Sequence, residues 1–265
     1  MYTIMIFSES GGATKTTTAV SLAMCAAEAG TSTLLIDLDP RGATTKWTRV
    51  QPEEGWRNTA AIIASEDPDG WAEDLALPSL WNENLRVIPS GRELANRERD
   101  IADHMELRLS RSLDENSSDL IVIDCPNRQG GPLTQNALAA ADGVVYAATP
   151  DQDGLDGVDG ARESVARFLS SRRRMGADPH LDELGIVIGK WPDTIPTKVA
   201  KEAANDLEDT GILINPKVPK RTIVEQARMA GEWYGNFPQG NPVADAYAEI
   251  VEQTVRPKLE GGDAP

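Results

Sequence analysis

A short apolar run, Thr3 to Phe7, leads into Ser8-Glu9-Ser10-Gly11-Gly12-Ala13-Thr14-Lys15-Thr16-Thr17. After that loop Ala19, Val20, Leu22, Ala23, Met24, Ala26 and Ala27 are apolar nearly all round, as in a buried helix, and Gly30 supplies the stop. Thr33 to Ile36 is a second apolar strand, ending in Asp37-Leu38-Asp39-Pro40. Strand, loop, helix and strand within about 35 residues make a βαβ unit, which commits the chain to parallel pairing.

Further short runs repeat the pattern. Leu85 to Ile88 ends at Pro89-Ser90-Gly91, Leu120 to Ile123 at Asp124-Cys125-Pro126, Val144 to Ala148 at Thr149-Pro150, and Ile186 to Ile188 at Gly189-Lys190. Near-continuous apolar strands separated by helical segments predict an α/β fold, a mostly parallel central sheet covered by helices on both faces. Ligands of such sheets bind outside the carboxyl ends of the strands. Asp37, Asp39, Asp124 and Pro150 all fall at that edge, together with the glycine-bearing loop.

The chemistry of that edge follows from the residue types. A turn with Gly11 and Gly12 that opens a helix at Lys15-Thr16 can wrap a phosphate chain with backbone N–H groups. The Lys15 ammonium would reach the terminal phosphates and the Thr16 hydroxyl would ligate Mg²⁺. A strand-end carboxylate beside such a loop can hold the metal directly or through water, and a second can orient an attacking water. Glu9 and Thr14 stand where the usual loop has two glycines.

With 265 residues, the chain suits one large α/β domain, 1–265. Residues 51–83 are acidic, carry Trp56, Trp71 and Trp81, and read as an irregular insertion with short helices. Residues 243–259 read as a C-terminal helix with Val243, Tyr247, Ile250, Val251 and Val255 on the face that docks on the body. Cys25 and Cys125 lie in apolar runs, as buried thiols of a cytoplasmic protein do. No run approaches the length of a membrane span or a signal peptide, so a cytoplasmic protein without membrane partners is expected. A net charge of −16 excludes a protein that coats nucleic acid with its whole surface. Residues 162–228 are nonetheless locally basic, with 12 Lys/Arg against 10 Asp/Glu.

Taken together these motifs resemble the ParA/MinD group of P-loop ATPases with a deviant Walker A motif, and most of all its ParA/Soj-like DNA partitioning members. Gly11-Gly12-Ala13-Thr14-Lys15-Thr16-Thr17 is similar to the group's KGGxGKTT loop, Leu34 to Pro40 to its switch I strand, and Asp124-Cys125-Pro126 to its Walker B. Asn136 to Asp142 resembles its NALxAAD helix and Val218-Pro219-Lys220 its IPR segment. The resemblance implies ATP and Mg²⁺ as cofactors. Gly11, Gly12, Ala13, Thr14, Lys15, Thr16 and Thr17 would hold the phosphates, Thr16, Asp37, Asp39 and Asp124 the metal and its waters, and Pro219 the adenine. Lys15 and Asp39 would carry catalysis. It further implies a homodimer that sandwiches ATP, binds DNA non-specifically on the nucleoid, and is stimulated by a ParB-type partner. Lys198, Lys201, Lys217, Lys220, Arg221 and Arg228 are then candidates for phosphate-backbone contacts, the alternative being a solvated charged face. Arg172-Arg173-Arg174 is either a second such patch or a helix-end cap.

Two positions depart from the group. Ser10 stands where its signature Lys reaches across the dimer, and Arg41 replaces the Gln that usually follows Asp-Pro in switch I. Arg41 is therefore expected to supply part of the missing positive charge. The alternatives are a nucleotide-dependent DNA-binding scaffold with little or no hydrolysis and a MinD-like positioning ATPase. No helix-turn-helix segment precedes the loop, so specific operator binding is not expected.

Overall fold

The computed structural model describes residues 1–52, 54–99, 102–128 and 130–261; Glu53, inside the expected insertion, lies outside them. Among the described residues seven strands form one sheet in the order β3-β4-β2-β5-β1-β6-β7. They are β1 (Tyr2–Phe7), β2 (Thr33–Asp37), β3 (Leu77–Pro78), β4 (Leu85–Ile88), β5 (Leu120–Asp124), β6 (Gly143–Ala148) and β7 (Asp182–Ile188). All neighbours pair in parallel except β3, a two-residue antiparallel edge on β4. The six apolar runs are thus the six parallel strands, as an α/β fold with a mostly parallel sheet requires. The β3 edge has no counterpart in the pattern, because two residues are too few to show a period.

Alternation along β1 explains the two layers. Met5 and Phe7 point into one core with residues of α7 (Pro132–Ala140), α8 (Gln152–Arg174) and α9 (Lys198–Asp209). Ile4 and Ile6 point into the other, beneath α1 (Lys15–Glu28) and α11 (Asn241–Ile250). Helix α1 is buried along nearly its whole length, and its polar positions are matched. The Thr18 hydroxyl shares a hydrogen bond with the Tyr247 hydroxyl (3.0 Å), and Ser21 does so with Tyr234 (2.6 Å). Asn136 is buried too: its Oδ1 accepts the Leu109 N–H (2.9 Å) and its Nδ2 donates to Pro132 O (3.0 Å).

Residues 51–83 contain α3 (Thr59–Ala64) and α4 (Trp71–Leu75) ahead of β3. Asn58 caps α3 by accepting the Ala60 N–H, and Glu73 of α4 makes a two-pronged ion pair with Arg86 of β4. The C-terminal residues are α11, one π turn over Val251–Val255, and α12 (Arg256–Glu260), where one continuous helix is expected. Pro257 has no N–H to give the preceding turn, and the widened turn lies just ahead of it. The expected apolar face of this segment is buried against α1.

Short helix α2 (Ala43–Thr48) follows the Asp37–Pro40 segment and carries Trp47, which is fully buried. Its indole donates to Glu232 O (2.9 Å) and packs against Trp81 and Tyr234. Trp47 therefore fastens α2 to both the 51–83 region and the C-terminal layer. Trp47→Ala is expected to lower the unfolding free energy by about 3–5 kcal/mol, from the buried surface lost and the cavity left. Urea denaturation checks this; a loss below about 1 kcal/mol would mean that the site refills.

Candidate functional site

The loop after β1 takes its shape from two left-handed residues, Gly12 (φ 83°) and Thr14 (φ 63°). Gly12 adopts this conformation freely, whereas Thr14, a β-branched residue, is strained there by about 1–3 kcal/mol and needs surroundings that hold it. Thr14 is also the residue before α1, and its side chain makes no cap. The Lys15 ammonium folds back to donate to Ser8 O (2.9 Å), Ser10 O (2.9 Å) and Asn127 Oδ1 (3.2 Å). Burial pushes its pKa down, and the nearby Asp124 and Asp39 carboxylates oppose that.

Helix α8 buttresses the loop from behind. Glu9 N–H donates to Gly157 O (3.0 Å), and the Glu9 carboxylate accepts from Ser164 Oγ (2.6 Å). A Cβ on Gly157 would lie 2.5 Å from Ser10 Cβ and 2.9 Å from Ser10 N, so that position requires glycine; one on Gly160 would lie 2.4 Å from Glu9 Oε2, and the Glu9 carboxylate would have to move. The Ser10 hydroxyl turns to its neighbour Gly11 O.

Register explains the acidic side. Asp37 and Asp124 are directly paired residues at the ends of β2 and β5, and both are fully buried. Asp37 Oδ2 accepts from Thr45 N–H (2.7 Å) and Thr45 Oγ1 (2.6 Å), and Oδ1 from Asp39 N–H (3.2 Å). Asp124 Oδ2 accepts from Thr44 Oγ1 (2.7 Å), while Oδ1 has no hydrogen-bond partner among the described residues. Burial and mutual repulsion raise the Asp37 pKa well above the usual carboxylate range. Burial raises Asp124 as well, against the pull of the Thr44 and Thr16 hydroxyls. Asp39 stands nearer the opening, its Oδ1 accepting the Arg41 N–H (2.9 Å) and its carbonyl accepting from Ser90 Oγ.

A cleft of about 390 Å³ is lined by Gly12 to Thr17, Asp39, Arg41 and Asn127 on one side, while the fully buried Asp37 and Asp124 are not in its lining. Gly189, Lys190 and Val218 to Arg221 line the other. The opposite wall is held to the sheet end by Val218 N–H to Ile188 O (2.8 Å), Trp191 N–H to Val218 O (2.8 Å) and Lys220 N–H to Trp191 O (2.7 Å). Pro219 lies on that wall.

The expected basic patch divides. Lys220, Arg221 and Arg228 line the cleft itself, and Arg221 is paired with Asp193. Lys217 covers the face of Trp191 at 5.4 Å. Lys198 and Lys201 are exposed on α9, away from the cleft lining, where Lys198 faces Glu202. Arg172, Arg173 and Arg174 occupy the last turn of α8. The motifs do not point to Asn127, Gly157, Gly160, Gly189 or Lys190, all of which touch the loop. Asn127 was within reach, three residues past a strand-end Asp, but the glycines act only through distant neighbours.

The residues fit a triphosphate with Mg²⁺. Asp124 Oδ1 and Thr14 Oγ1 are buried polar atoms without a hydrogen-bond partner among the described residues. Among the described residues no cluster of three or more His, Cys, Asp or Glu could hold a metal by itself. Mg²⁺ has no need of one, because it keeps waters and phosphate oxygens among its ligands. Cys25 and Cys125 are buried free thiols whose pKa burial raises. No described helix is long and apolar enough to cross a membrane.

A family model described as an AAA domain matches residues 1–174. The chromosome-partitioning ATPase Soj of Thermus thermophilus is 27% identical over 252 residues, which cover 95% of this chain and 94% of Soj. Apo McdA of Cyanothece superposes with a TM-score of 0.79 at 23% identity, covering 95% of this chain and 99% of McdA. Cobyrinic acid a,c-diamide synthase of Mycobacterium smegmatis, with an ATP analogue and magnesium bound, gives 0.77 at 22% identity over 100% and 98%. At these identities the two structures share the fold of this chain.

The carboxylate pair makes a pH prediction. In magnesium-free buffer the folded chain holds protons on Asp37 and Asp124 that the unfolded chain gives up near pH 4. Stability contributed by the pair is therefore present at acid pH and lost as pH rises from about 4 toward neutrality. Asp124→Asn keeps an acceptor for Thr44 and cannot ionise, so the fall in melting temperature between about pH 5 and 8 should flatten. An unchanged slope would show that the pair does not titrate there.

Proposed function

This chain belongs to the AAA domain family, in its ParA/MinD group of P-loop ATPases, and we propose that it is a DNA partitioning ATPase. The observation that carries the reading is the convergence of Lys15, Asp39 and the Val218–Arg221 wall on one cleft, with Asp124 Oδ1 unpartnered behind it. The relative Soj is named a chromosome-partitioning ATPase, and the Mycobacterium smegmatis synthase, of the same fold, holds an ATP analogue with magnesium.

Placement supports a role for each residue. Lys15 gives up the Ser8 and Ser10 carbonyls for the β- and γ-phosphates, and the N–H groups of Gly12 to Thr17 wrap the chain. Thr16 and Asp124 hold Mg²⁺, which when bound neutralises charge on the transferred phosphoryl group. Asp37 acts one step back: it holds Thr45 and the Asp39 backbone, and so sets where the Asp39 carboxylate stands. Asp39 orients the attacking water, and Pro219 borders the adenine. Arg41, exposed at the cleft rim, supplies positive charge that Ser10 lacks. Two copies close over ATP, the dimer holds DNA through exposed lysines, and a ParB-type partner accelerates hydrolysis on the nucleoid. The uncharged Ser10 favours a second reading, a nucleotide-dependent DNA-binding switch with little turnover.

Phosphate release with Mg²⁺, DNA and the cognate partner separates the two. Turnover is expected to exceed that of Lys15→Ala, and Asp39→Ala is expected to lose about a hundredfold in rate while still binding nucleotide. Turnover equal to Lys15→Ala with nucleotide binding intact selects the switch. Arg41→Ala should weaken ATP-dependent dimerisation; unchanged dimerisation and turnover would remove Arg41 from the site. Lys198→Glu with Lys201→Glu lies outside the cleft and is expected to lower ATP-dependent DNA retention without altering nucleotide affinity. Retention that is unchanged at low salt would move the DNA surface elsewhere.

A further inference from the structure

The turn at the end of β7 is shaped around the phosphate loop. Gly189 is buried, and a Cβ there would lie 2.7 Å from Thr14 Oγ1 and 2.8 Å from Thr14 Cγ2. The Thr14 side chain thus occupies the space that a side chain at 189 would need. Lys190, next along, is itself left-handed (φ 55°), and its ammonium donates to Gly12 O (3.2 Å). Trp191 and Lys220 tie the same turn to the Val218–Lys220 wall. One turn therefore touches both sides of the cleft.

A peptide unit is planar and trans, so the Gly12 carbonyl and the Ala13 N–H point in opposite directions. Fixing the carbonyl fixes the N–H. Gly12, being left-handed and with open space around its Cβ position, has no side-chain packing to hold this plane. The Lys190 hydrogen bond supplies that hold, and the ammonium has two further donors at the cleft wall it lines.

We propose that Lys190 is a positioning residue for a nucleotide's phosphate chain: it pins the Gly12 carbonyl and so fixes the orientation of the Gly12–Ala13 peptide at the cleft, with Gly189 making room for Thr14. The inference rests on the reading that the cleft takes a nucleotide. Because it acts on the loop, its effect grows with the number of phosphates.

Binding of AMPPNP and of AMP, each with Mg²⁺, to wild type, Lys190→Ala and Lys190→Arg tests it by calorimetry. Lys190→Ala is expected to weaken AMPPNP about tenfold, the scale of a lost charged hydrogen bond, and AMP much less. Lys190→Arg, which can still donate to Gly12 O, should recover most of the AMPPNP affinity. Gly189→Ala should reproduce the loss by displacing Thr14, and Thr14→Gly in the same chain should restore it. The nucleotide-free Lys190 variants should melt at the wild-type temperature. Unchanged AMPPNP affinity in Lys190→Ala, equal losses for AMPPNP and AMP, or no rescue by Arg would each overturn the inference and leave the nucleotide reading standing. A wild-type chain that binds no AMPPNP would overturn the nucleotide reading and this inference with it.

Discussion

Parallel pairing of β1 between β5 and β6 is the constraint on which the rest depends. It puts the carboxyl ends of all six long strands on one edge, while both faces of the sheet are sealed by helices. Polar groups can then accumulate only where the strands run out. Ile6 is paired with Asp124, and Asp124 with Asp37, so the loop leaves β1 beside two buried carboxylates. A slip of one residue in β5 would turn Asp124 to the opposite face and remove it from the site.

Strain in the loop is carried by its neighbours. Glu9 and Thr14 take positions where a small residue would be easier, and glycine reappears in the elements that face them. Gly160 clears Glu9, Gly157 clears Ser10, and Gly189 clears Thr14. Close packing explains the exchange: the loop and its supports share one volume, and side chains added on one side must be absent on the other. Departures that look like damage in the linear motif are thus half of a matched set. The Lys15 ammonium completes it by drawing the Ser8 and Ser10 carbonyls inward.

The basic segment shows the opposite relation between chain and fold. Its charges are close in sequence, yet they separate on the α9 surface, over Trp191 and inside the cleft. Charge density along a chain says little about a surface, because a helix and two turns distribute the same residues in three directions. Arg221 is already paired with Asp193, so its charge is partly spent within the chain.

Much of this protein was legible without coordinates. Six of seven strands announce themselves because a strand buried on both faces must be apolar throughout, and Asp37, Asp39, Asp124 and Lys15 mark the site because loop and strand ends are local features. The short β3 edge, the π turn before Pro257 and the Trp47 anchor were not legible, since each depends on partners far along the chain. The same holds for the supports of the loop. The sequence by itself determined a parallel α/β sheet with a phosphate-type loop beside strand-end carboxylates, because periodicity and turn chemistry act over a few residues. Only the tertiary structure decided that the Asp37 carboxylate accepts from Thr45 and the Asp39 N–H, that Gly157, Gly160 and Gly189 face the loop, and that Lys190 donates to Gly12. Those relations are made by excluded volume and hydrogen bonds between residues up to 178 positions apart.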